Sequence, residues 1–136
     1  MVTPNYQYGA VDPHQIGIWY DAGAGRWTIY NEDLAPIPVG ATFNVLVVPQ
    51  RGLFPNAFTR VATSANTSGD STCINNVLAN QSPTTTYLFV THVYSGSFTD
   101  VPGIWYDTSL GEWCIFDGSC KTMPLGAEFS VALPPS

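Results

Sequence analysis

Residues 16–49 read IGIWYDAGAGRWTIYNEDLAPIPVGATFNVLVVP, and residues 102–135 read PGIWYDTSLGEWCIFDGSCKTMPLGAEFSVALPP. The two stretches align without a gap at an offset of 86 residues, with 14 identities in 34 positions. Chance does not produce so long a match, so one structural unit occurs twice in this chain.

The duplication is incomplete at its N-terminal side. Val2 and Thr3 recur as Val90 and Thr91, at an offset of 88 residues. The second unit is preceded by a further stretch, from about residue 58 to residue 89, that has no counterpart in the first unit. We expect the two units to pack together. The sequence therefore predicts three segments: a truncated N-terminal unit over residues 1–49, a linker over residues 50–57 and a complete C-terminal unit over residues 58–136.

Short runs of β-branched and aromatic residues, separated by glycine and proline turns, recur along the chain. In residues 41–47 and again in residues 127–133, apolar and polar side chains alternate, as in a strand with one buried face. No segment shows a sustained helical period. The fold class is therefore all-β, a β-sandwich-like domain made of an internal duplication of short antiparallel strands. The predicted strands lie at residues 18–20, 27–30, 41–47, 59–65, 72–78, 87–94 (a central strand), 104–106, 113–116 and 127–133.

The composition excludes several classes of partner. The chain has 136 residues and a net charge of −6, with four Lys and Arg residues in all. Four scattered cations cannot neutralise many phosphates, so we expect neither nucleic acid nor an anionic membrane surface as a partner. No apolar run approaches the roughly 20 residues of a transmembrane helix, so we expect no membrane span.

The composition also bears on location. The opening residues, MVTPNYQYGA, have neither the basic region nor the apolar stretch of a signal peptide. The chain is therefore either cytosolic or a mature form whose leader is absent. Few lysines, and many threonines, serines, asparagines and tyrosines, favour the second alternative. We therefore expect an extracellular, secreted protein.

Aromatic side chains that recur in both units are the candidate binding residues. Indole and phenol rings can stack on the apolar face of a sugar ring, as in carbohydrate-binding modules. Both units keep these aromatics at the same spacing, and a shared core explains that equally well, so core packing is the favoured interpretation. The residues are Trp19, Tyr20 and Trp27 in the first unit and Trp105, Tyr106 and Trp113 in the second.

Catalytic residues are not evident. Asp21 and Asp107 occupy equivalent positions, but no acidic cluster surrounds either, so each is interpreted as bonding its own turn rather than holding Ca²⁺ or acting as an acid–base pair. His14 and His92 have no partner at metal-ligand or triad spacing. We therefore expect no enzyme, no metal and no cofactor, although distant residues can still converge in space.

Three cysteines are present: Cys73, Cys114 and Cys120. Cys114 and Cys120 flank the turn CIFDGSC, and a three-residue loop at 116–118 would place them opposite each other. A Cys114–Cys120 disulfide is therefore expected, consistent with an oxidising compartment. Cys73 would then be free or paired elsewhere, and its pairing with Cys114 or with Cys120 stays open.

Two triplets match the N-glycosylation acceptor pattern. They begin at Asn66 and Asn80 and lie in a stretch rich in serine, threonine and asparagine, between residues 63 and 86. The alternative interpretation of that stretch is simply polar loops.

The incomplete first unit leads to a hypothesis about assembly. Without a counterpart of residues 58–89, its sheet would expose unpaired backbone groups, and such an edge is a template for another chain. Either the two units fuse into one sheet system, or a strand from a neighbouring molecule completes the first unit. The candidate donors are the segments 1–8, which we prefer, and 129–135. Repeated head-to-tail donation that does not close into a ring builds a helical filament.

The motif set GIWYD, W and P(V/L)GA.F.V, preceded by VATSANTSG and LFVT, resembles an uncharacterised, mostly bacterial family of tandem-repeat proteins. Proteins similar to this one are protomers of extracellular, glycosylated helical fibrils from environmental (pond) water. The resemblance implies a structural, fibril-forming role by β-strand exchange, with Asn66 and Asn80 as glycan carriers. The first unit departs from the family pattern because it is truncated. The alternative function is a small carbohydrate-binding, lectin-like adhesion module that uses Trp19, Tyr20, Trp105 and Tyr106.

Overall fold

The computed structural model describes residues 1–5, 9–47, 56–84, 88–94 and 98–133. These ranges contain strands and turns but no helix, so the predicted all-β, sandwich-like class is confirmed. The strands are β1 (Val2–Asn5), β2 (Ile16–Asp21), β3 (Arg26–Asn31), β4 (Thr42–Val45), β5 (Ala57–Val61), β6 (Thr67–Ser68), β7 (Ser71–Ile74), β8 (Phe89–Val93), β9 (Pro102–Asp107), β10 (Glu112–Asp117) and β11 (Glu128–Ala132).

The described strands form three sheets. The largest has the order β3-β2-β8-β11-β5, the second has the order β6-β7-β10-β9, and β1 pairs with β4 alone. The large sheet contains strands of both units, because β8 of the second unit lies beside β2 of the first. Neighbouring strands are antiparallel except at this junction, where β2 and β8 run parallel and Ile18 is bridged to Val93.

The duplication is confirmed in strand register. In the first unit, Val2 of β1 lies opposite Val45 of β4. In the second unit, their counterparts Val90 of β8 and Val131 of β11 also lie opposite each other. The hairpins β2–β3 and β9–β10 share one register as well. Their turns place a glycine at the same left-handed position, where φ is 65° in one copy and 70° in the other, a conformation that suits glycine best.

The main hydrophobic core lies in the second unit, between the four-stranded sheet and the half of the large sheet formed by β8, β11 and β5. The second cluster is smaller and lies at the junction of the two units. Its buried members are Val2, Ile16, Ile18 and Val93. The main core comprises Ala62, Ile74, Ala79, Leu88, Phe98, Ile115, Met123, Ala127, Phe129, Val131 and Leu133.

Several strand bounds differ from the predictions. The predicted central strand at 87–94 is confirmed as β8, which lies between β2 and β11. The predicted strand at 72–78 ends at Ile74, because the following asparagines form a turn that is closed by a hydrogen bond from Ala79 N to Asn76 O. The short strand β6 was not predicted. The predicted linker runs into β5, which begins at Ala57, and residues 48–55 lie outside the described ranges. The division into two repeat units and a linker stays a prediction.

Candidate functional site

Strands β5, β6 and β7, which we call the leading strands, complete the second unit. β5 pairs with the outer edge of β11, and β7 pairs with the outer edge of β10. The counterparts of β11 and β10 in the first unit are β4 and β3. Within the part of the chain that the structure describes, neither β4 nor β3 has a strand on that edge. Among the described residues, the first unit is therefore open along two strand edges, although the two units also share one sheet through β2 and β8, which was one of the two expected alternatives.

The same opening exposes side chains that are core residues in the second unit. Val131 is 2% exposed, whereas its counterpart Val45 is 57% exposed. Leu133 is 5% exposed, whereas its counterpart Val47 is 79% exposed. Local sequence does not explain these differences, because each pair is apolar in both copies. The cause is the layer of leading strands that covers one unit only.

A groove of about 650 Å³ lies against the exposed side chains of the first unit. One wall consists of β3 and the end of β4 with the residues after it, and the other wall consists of β5 and β11 of the second unit. We call the first of these walls the open face and define it by Trp27, Ile29, Val45, Leu46 and Val47. Its side chains are apolar, so covering it would remove apolar surface from water.

The candidate aromatic residues fall into two environments. Tyr20 and Trp27 are exposed and make an edge-to-face pair with ring centroids 5.6 Å apart. Tyr106 and Trp113 make the same pair at 5.5 Å. However, Trp113 packs against the main core, and its indole N–H donates to the carbonyl of Ser82. For Trp113 the interpretation as a core residue is therefore confirmed.

Trp19 and Trp105 precede the tyrosines and point to the other face of their strands. Both are partly exposed, and the Trp105 indole N–H donates to Ser71 Oγ. The structure therefore does not gather the four predicted stacking residues into one platform, because the two hairpins belong to different sheets. Their role as sugar-stacking residues stays a prediction.

A buried polar cluster joins the two units, and the sequence interpretation missed it. Glu32 and His92 are buried, and His92 Nδ1 is within hydrogen-bond distance of Glu32 Oε1. The Tyr30 hydroxyl donates to Glu32 and lies 3.4 Å from His92 Nδ1. Burial, and then the hydrogen bond to Glu32, raise the pKa of Tyr30 far above its ordinary value. His92 looked isolated in sequence, but its partners are supplied by the other unit.

The signal for this cluster was a difference between the copies rather than an identity. Glu32 corresponds to Gly118, Tyr30 to Phe116, and His92 to Pro4. Tyr30 and Glu32 thus lie on the first unit's side of the junction and His92 on the second unit's side, and the counterparts of all three are apolar. The Glu32 and His92 side chains are almost inaccessible to solvent, so this part of the cluster lies inside the junction.

The remaining candidate acid–base residues serve local structure. His14 Nδ1 lies 2.7 Å from Asp33 Oδ2 at the surface. Asp21 Oδ1 accepts a hydrogen bond from Ala24 N. Asp107 Oδ1 accepts hydrogen bonds from the hydroxyl and the backbone N–H of Ser109, and these bonds lower its pKa. The interpretation of both aspartates as turn residues is confirmed.

The disulfide prediction was wrong in its pairing. Cys73 is bonded to Cys114, and Cys120 is an exposed free thiol. β10 continues to Asp117, so the turn begins too late to place Cys120 opposite Cys114. In contrast, Cys73 of β7 lies directly opposite Cys114 in the antiparallel pair. The bridge therefore fastens β7, one of the leading strands, to β10.

Removing this bridge should destabilise the chain. In the variant Cys73→Ala/Cys114→Ala, the unfolded chain regains the freedom of a loop whose ends are 41 residues apart. The chain-entropy model gives roughly 4 kcal/mol for such a loop, and measured values are typically 2–4 kcal/mol. We expect urea unfolding to show a loss in this range. Cys120→Ser is the matched control and should leave the midpoint unchanged; an equal loss in the control would contradict the pairing.

The predicted glycan acceptors both lie in turns. Asn66 Oδ1 accepts a hydrogen bond from the Thr72 hydroxyl, and Asn66 Nδ2 donates to the carbonyl of Val61. Asn80 Nδ2 donates to Asn75 Oδ1. Each amide thus takes part in holding its own turn, and N-glycosylation at either position stays a prediction.

No set of three or more His, Cys, Asp or Glu side chains converges among the residues that the structure describes. Across the same ranges, there is no helix with the length and apolar character needed to cross a membrane.

The fold thus defines an all-β protein that contains two copies of one unit, of which one is open and the other is complete. The chain belongs to a family of domains of unknown function (DUF7452), whose model matches residues 1–47 and residues 17–133. The two matches overlap, as expected for a chain that contains related segments twice. Comparison with curated proteins and with solved structures gave no match.

Proposed function

We propose that this protein is the structural subunit of an extracellular, self-assembling helical fibril, in which copies are linked head to tail by β-strands. One observation carries the proposal: the first unit leaves apolar residues exposed that the second unit buries. Full burial of an exposed apolar side chain contributes about 1.5–3 kcal/mol, and burying Val45 and Val47 would each contribute less than this, because both are already partly covered. Another copy of the same chain is always available to cover this surface, wherever the protein is present.

The position of the open face supports a head-to-tail contact. The open face belongs to the first unit, whereas the corresponding surface of the second unit is already covered by the leading strands. A contact between two open faces would close as a dimer, but a contact between the first unit of one copy and the second unit of the next repeats indefinitely.

The two candidate donor segments are not equivalent. In the segment 129–135, the described part is largely β11, which has neighbours on both edges and buries Phe129 completely. Donating it would dismantle the main core. β1, from the segment 1–8, has a strand neighbour on one edge only among the described strands. We therefore assign the donor role to β1.

Light scattering and electron microscopy of the purified protein test the proposal. We expect long, regular fibres for the native chain. Val47→Asp puts a charge on the open face and should give monomers, because burying an unpaired charge is costly. Val77→Asp is the matched control, since Val77 is also an exposed valine but lies in a turn of the second unit. A native protein that is a monodisperse monomer at high concentration would overturn the proposal.

Glycosylation belongs to the same proposal. If glycans decorate the fibril, Asn66 and Asn80 are the acceptors that the sequence pattern supplies. Intact-mass measurement of protein from its native source, compared with the variants Asn66→Gln and Asn80→Gln, decides whether either side chain carries one.

A carbohydrate-binding module is the second candidate function. The exposed Tyr20–Trp27 pair supports it, because exposed aromatic rings can stack on the apolar face of a sugar ring. In this case the native protein should bind defined sugars on a glycan array, and Trp27→Ala should lose that binding while keeping its fold.

A further inference from the structure

The leading strands lie between the two units in sequence. β4 of the first unit ends at Val45, the leading strands extend from Ala57 to Ile74, and β8 of the second unit begins at Phe89. In the structure, the leading strands pair with β11 and β10 of the second unit. The first unit has the equivalent edges, those of β4 and β3, and both lack a further strand in the described part of the chain. One set of leading strands therefore has two sites of the same kind.

The first unit keeps the apolar residues that such a site needs. Where the two units align without a gap, six residues of the second unit belong to the main core, and none is more than 5% exposed. Their six counterparts are apolar as well, but none of them is fully buried. The pairs are Ile29 and Ile115, Ile37 and Met123, Ala41 and Ala127, Phe43 and Phe129, Val45 and Val131, and Val47 and Leu133. The first unit thus keeps one part of a core that the leading strands complete in the second.

The pairings of the second unit also transfer to the first without a change of register. Phe58 of β5 lies opposite Val131, so it would lie opposite Val45 on β4. Cys73 of β7 lies opposite Cys114, and the counterpart of Cys114 on β3 is Thr28.

The connections to the leading strands are long enough for both arrangements. Residues 75–88 span up to ~46 Å when extended. A strand added to the edge of β3 would lie about three strand spacings, or ~14 Å, from β8. On the other side, pairing β5 with β4 closes a shorter loop than pairing β5 with β11, and a shorter loop costs less entropy.

The disulfide between Cys73 and Cys114 distinguishes the two sites. Thr28, at the equivalent position of the first unit, cannot form such a bond. Cys114 is fully buried and Cys73 is partly exposed, so a reductant in solution reaches the bridge from the Cys73 side. As long as the bridge is intact, β7 cannot leave β10.

A charge also favours the second site. Burial lowers the pKa of Arg60 in β5, and attraction to the Glu112 carboxylate of β10 opposes this shift. The counterpart of Glu112 in the first unit is Arg26, which would repel Arg60. We therefore expect chains without the bridge to populate both arrangements rather than the first alone.

We propose that the Cys73–Cys114 disulfide selects which of the two units is left open. With the bridge intact, the leading strands stay on the second unit, and the open face is available to another copy. A dithiol reductant cleaves the bridge: one thiolate attacks a sulfur, the other resolves the mixed disulfide, and two cysteine thiols and the oxidised dithiol result. The leading strands then also pair with β3 and β4 of the same chain and cover the open face. Control of assembly by this transfer rests on the proposed function, whereas the transfer itself does not.

Moving the acceptor cysteine tests the transfer. In a Cys120→Ser background, the variant Thr28→Cys/Cys114→Thr exchanges the residues at the two equivalent positions. After oxidative refolding, peptide mapping of the monomer fraction without reduction should show Cys73 bonded at position 28 in most chains. A free Cys73 thiol in a folded monomer, or a bond at position 28 found only in covalent dimers, would overturn transfer within the chain.

A second variant retains the native bridge and therefore the native fold. Thr28→Cys, again with Cys120→Ser, is reduced and slowly reoxidised in a glutathione buffer, and a share of Cys73 should become bonded at position 28. Leu34→Cys is the matched control, because it places an exposed cysteine in the first unit but beyond the end of β3. A share at position 28 that is no higher than the share at position 34 would contradict the proposal.

A charge change should shift the balance in the same assay. Arg26→Glu gives the first unit the carboxylate that the second unit has at this position, so the share of Cys73 bonded at position 28 should rise several-fold. Lys121→Glu changes the net charge equally at an exposed position of the second unit and should leave that share unchanged.

The transfer and the proposed function can fail separately. Chains that form the bond at position 28 but never assemble would support the transfer and overturn the proposed function. Chains that assemble into fibres but never form this bond would overturn the transfer and leave the proposed function standing.

Discussion

Replacing Phe129 by alanine is expected to lower the free energy of unfolding by about 3–5 kcal/mol. Phe129 is fully buried in the main core and makes ring contacts with Phe98 and His92. β11, which carries it, lies between β8 and β5 with strands on both edges, so the surroundings cannot easily collapse into the cavity. Urea unfolding followed by tryptophan fluorescence measures the loss.

The same substitution in the first copy is the matched control. Phe43 is the counterpart of Phe129 but is only partly buried, at the rim of the smaller cluster. We expect Phe43→Ala to cost clearly less, about 1–2 kcal/mol, because fewer contacts are lost. Both measurements belong in the Val47→Asp background, so that assembly does not contribute. Equal losses at the two positions would show that the first unit is packed as fully as the second and would contradict the open face.

Replacing Glu32 by alanine is also expected to lower the free energy of unfolding substantially. The carboxylate of Glu32 is a buried hydrogen-bond partner of His92, and the histidine side chain has no exposed surface through which water could replace it. Leaving a buried hydrogen-bonding group without one of its partners costs about 1–3 kcal/mol, and more where a charged group is involved. We expect the loss in that range by urea unfolding, with the transition between folded and unfolded states still cooperative.

Tyr30→Phe separates the contribution of the Glu32–His92 pair from that of the Tyr30 hydrogen bond. This variant keeps the ring that lies edge-on to Tyr94 and removes only the hydroxyl that donates to Glu32. A loss of about 1 kcal/mol is expected for one hydrogen bond. If Glu32→Ala cost no more than Tyr30→Phe, the Glu32–His92 pair would contribute no more than a single hydrogen bond to the stability of the junction.

The repeat made much of the fold predictable. Because the copies align without a gap through their hairpins and terminal strands, one alternating pattern at 41–47 and 127–133 predicted both β4 and β11. The offset that related Val2 to Val90 predicted that β1 and β8 occupy equivalent places, and the two registers agree. The open edges of the first unit also followed from the unequal length of the copies.

What sequence alone did not predict depends on contacts between distant segments. The opposition of Cys73 to Cys114 requires the register of β7 on β10, which no local pattern specifies. The pairing of Glu32 with His92 requires that β8 lie parallel to β2, a connection between units rather than within one. Both contacts involve positions where the copies differ, so the repeat that predicted the strands gave no information about them.

The junction of the two units has a mechanical consequence. Among the described residues, Ile18 and Val93 are the one bridged pair of the junction, and the strands on either side of it are paired far more extensively. In a thread of such molecules under tension, each subunit would yield at this junction before either hairpin separates. The chain runs continuously through residues 48–55, so a subunit that has parted there is lengthened rather than severed. When the load is removed, the buried hydrogen bond between Glu32 and His92 would form again in one orientation only, so such a thread, if it exists, would shorten again after being stretched.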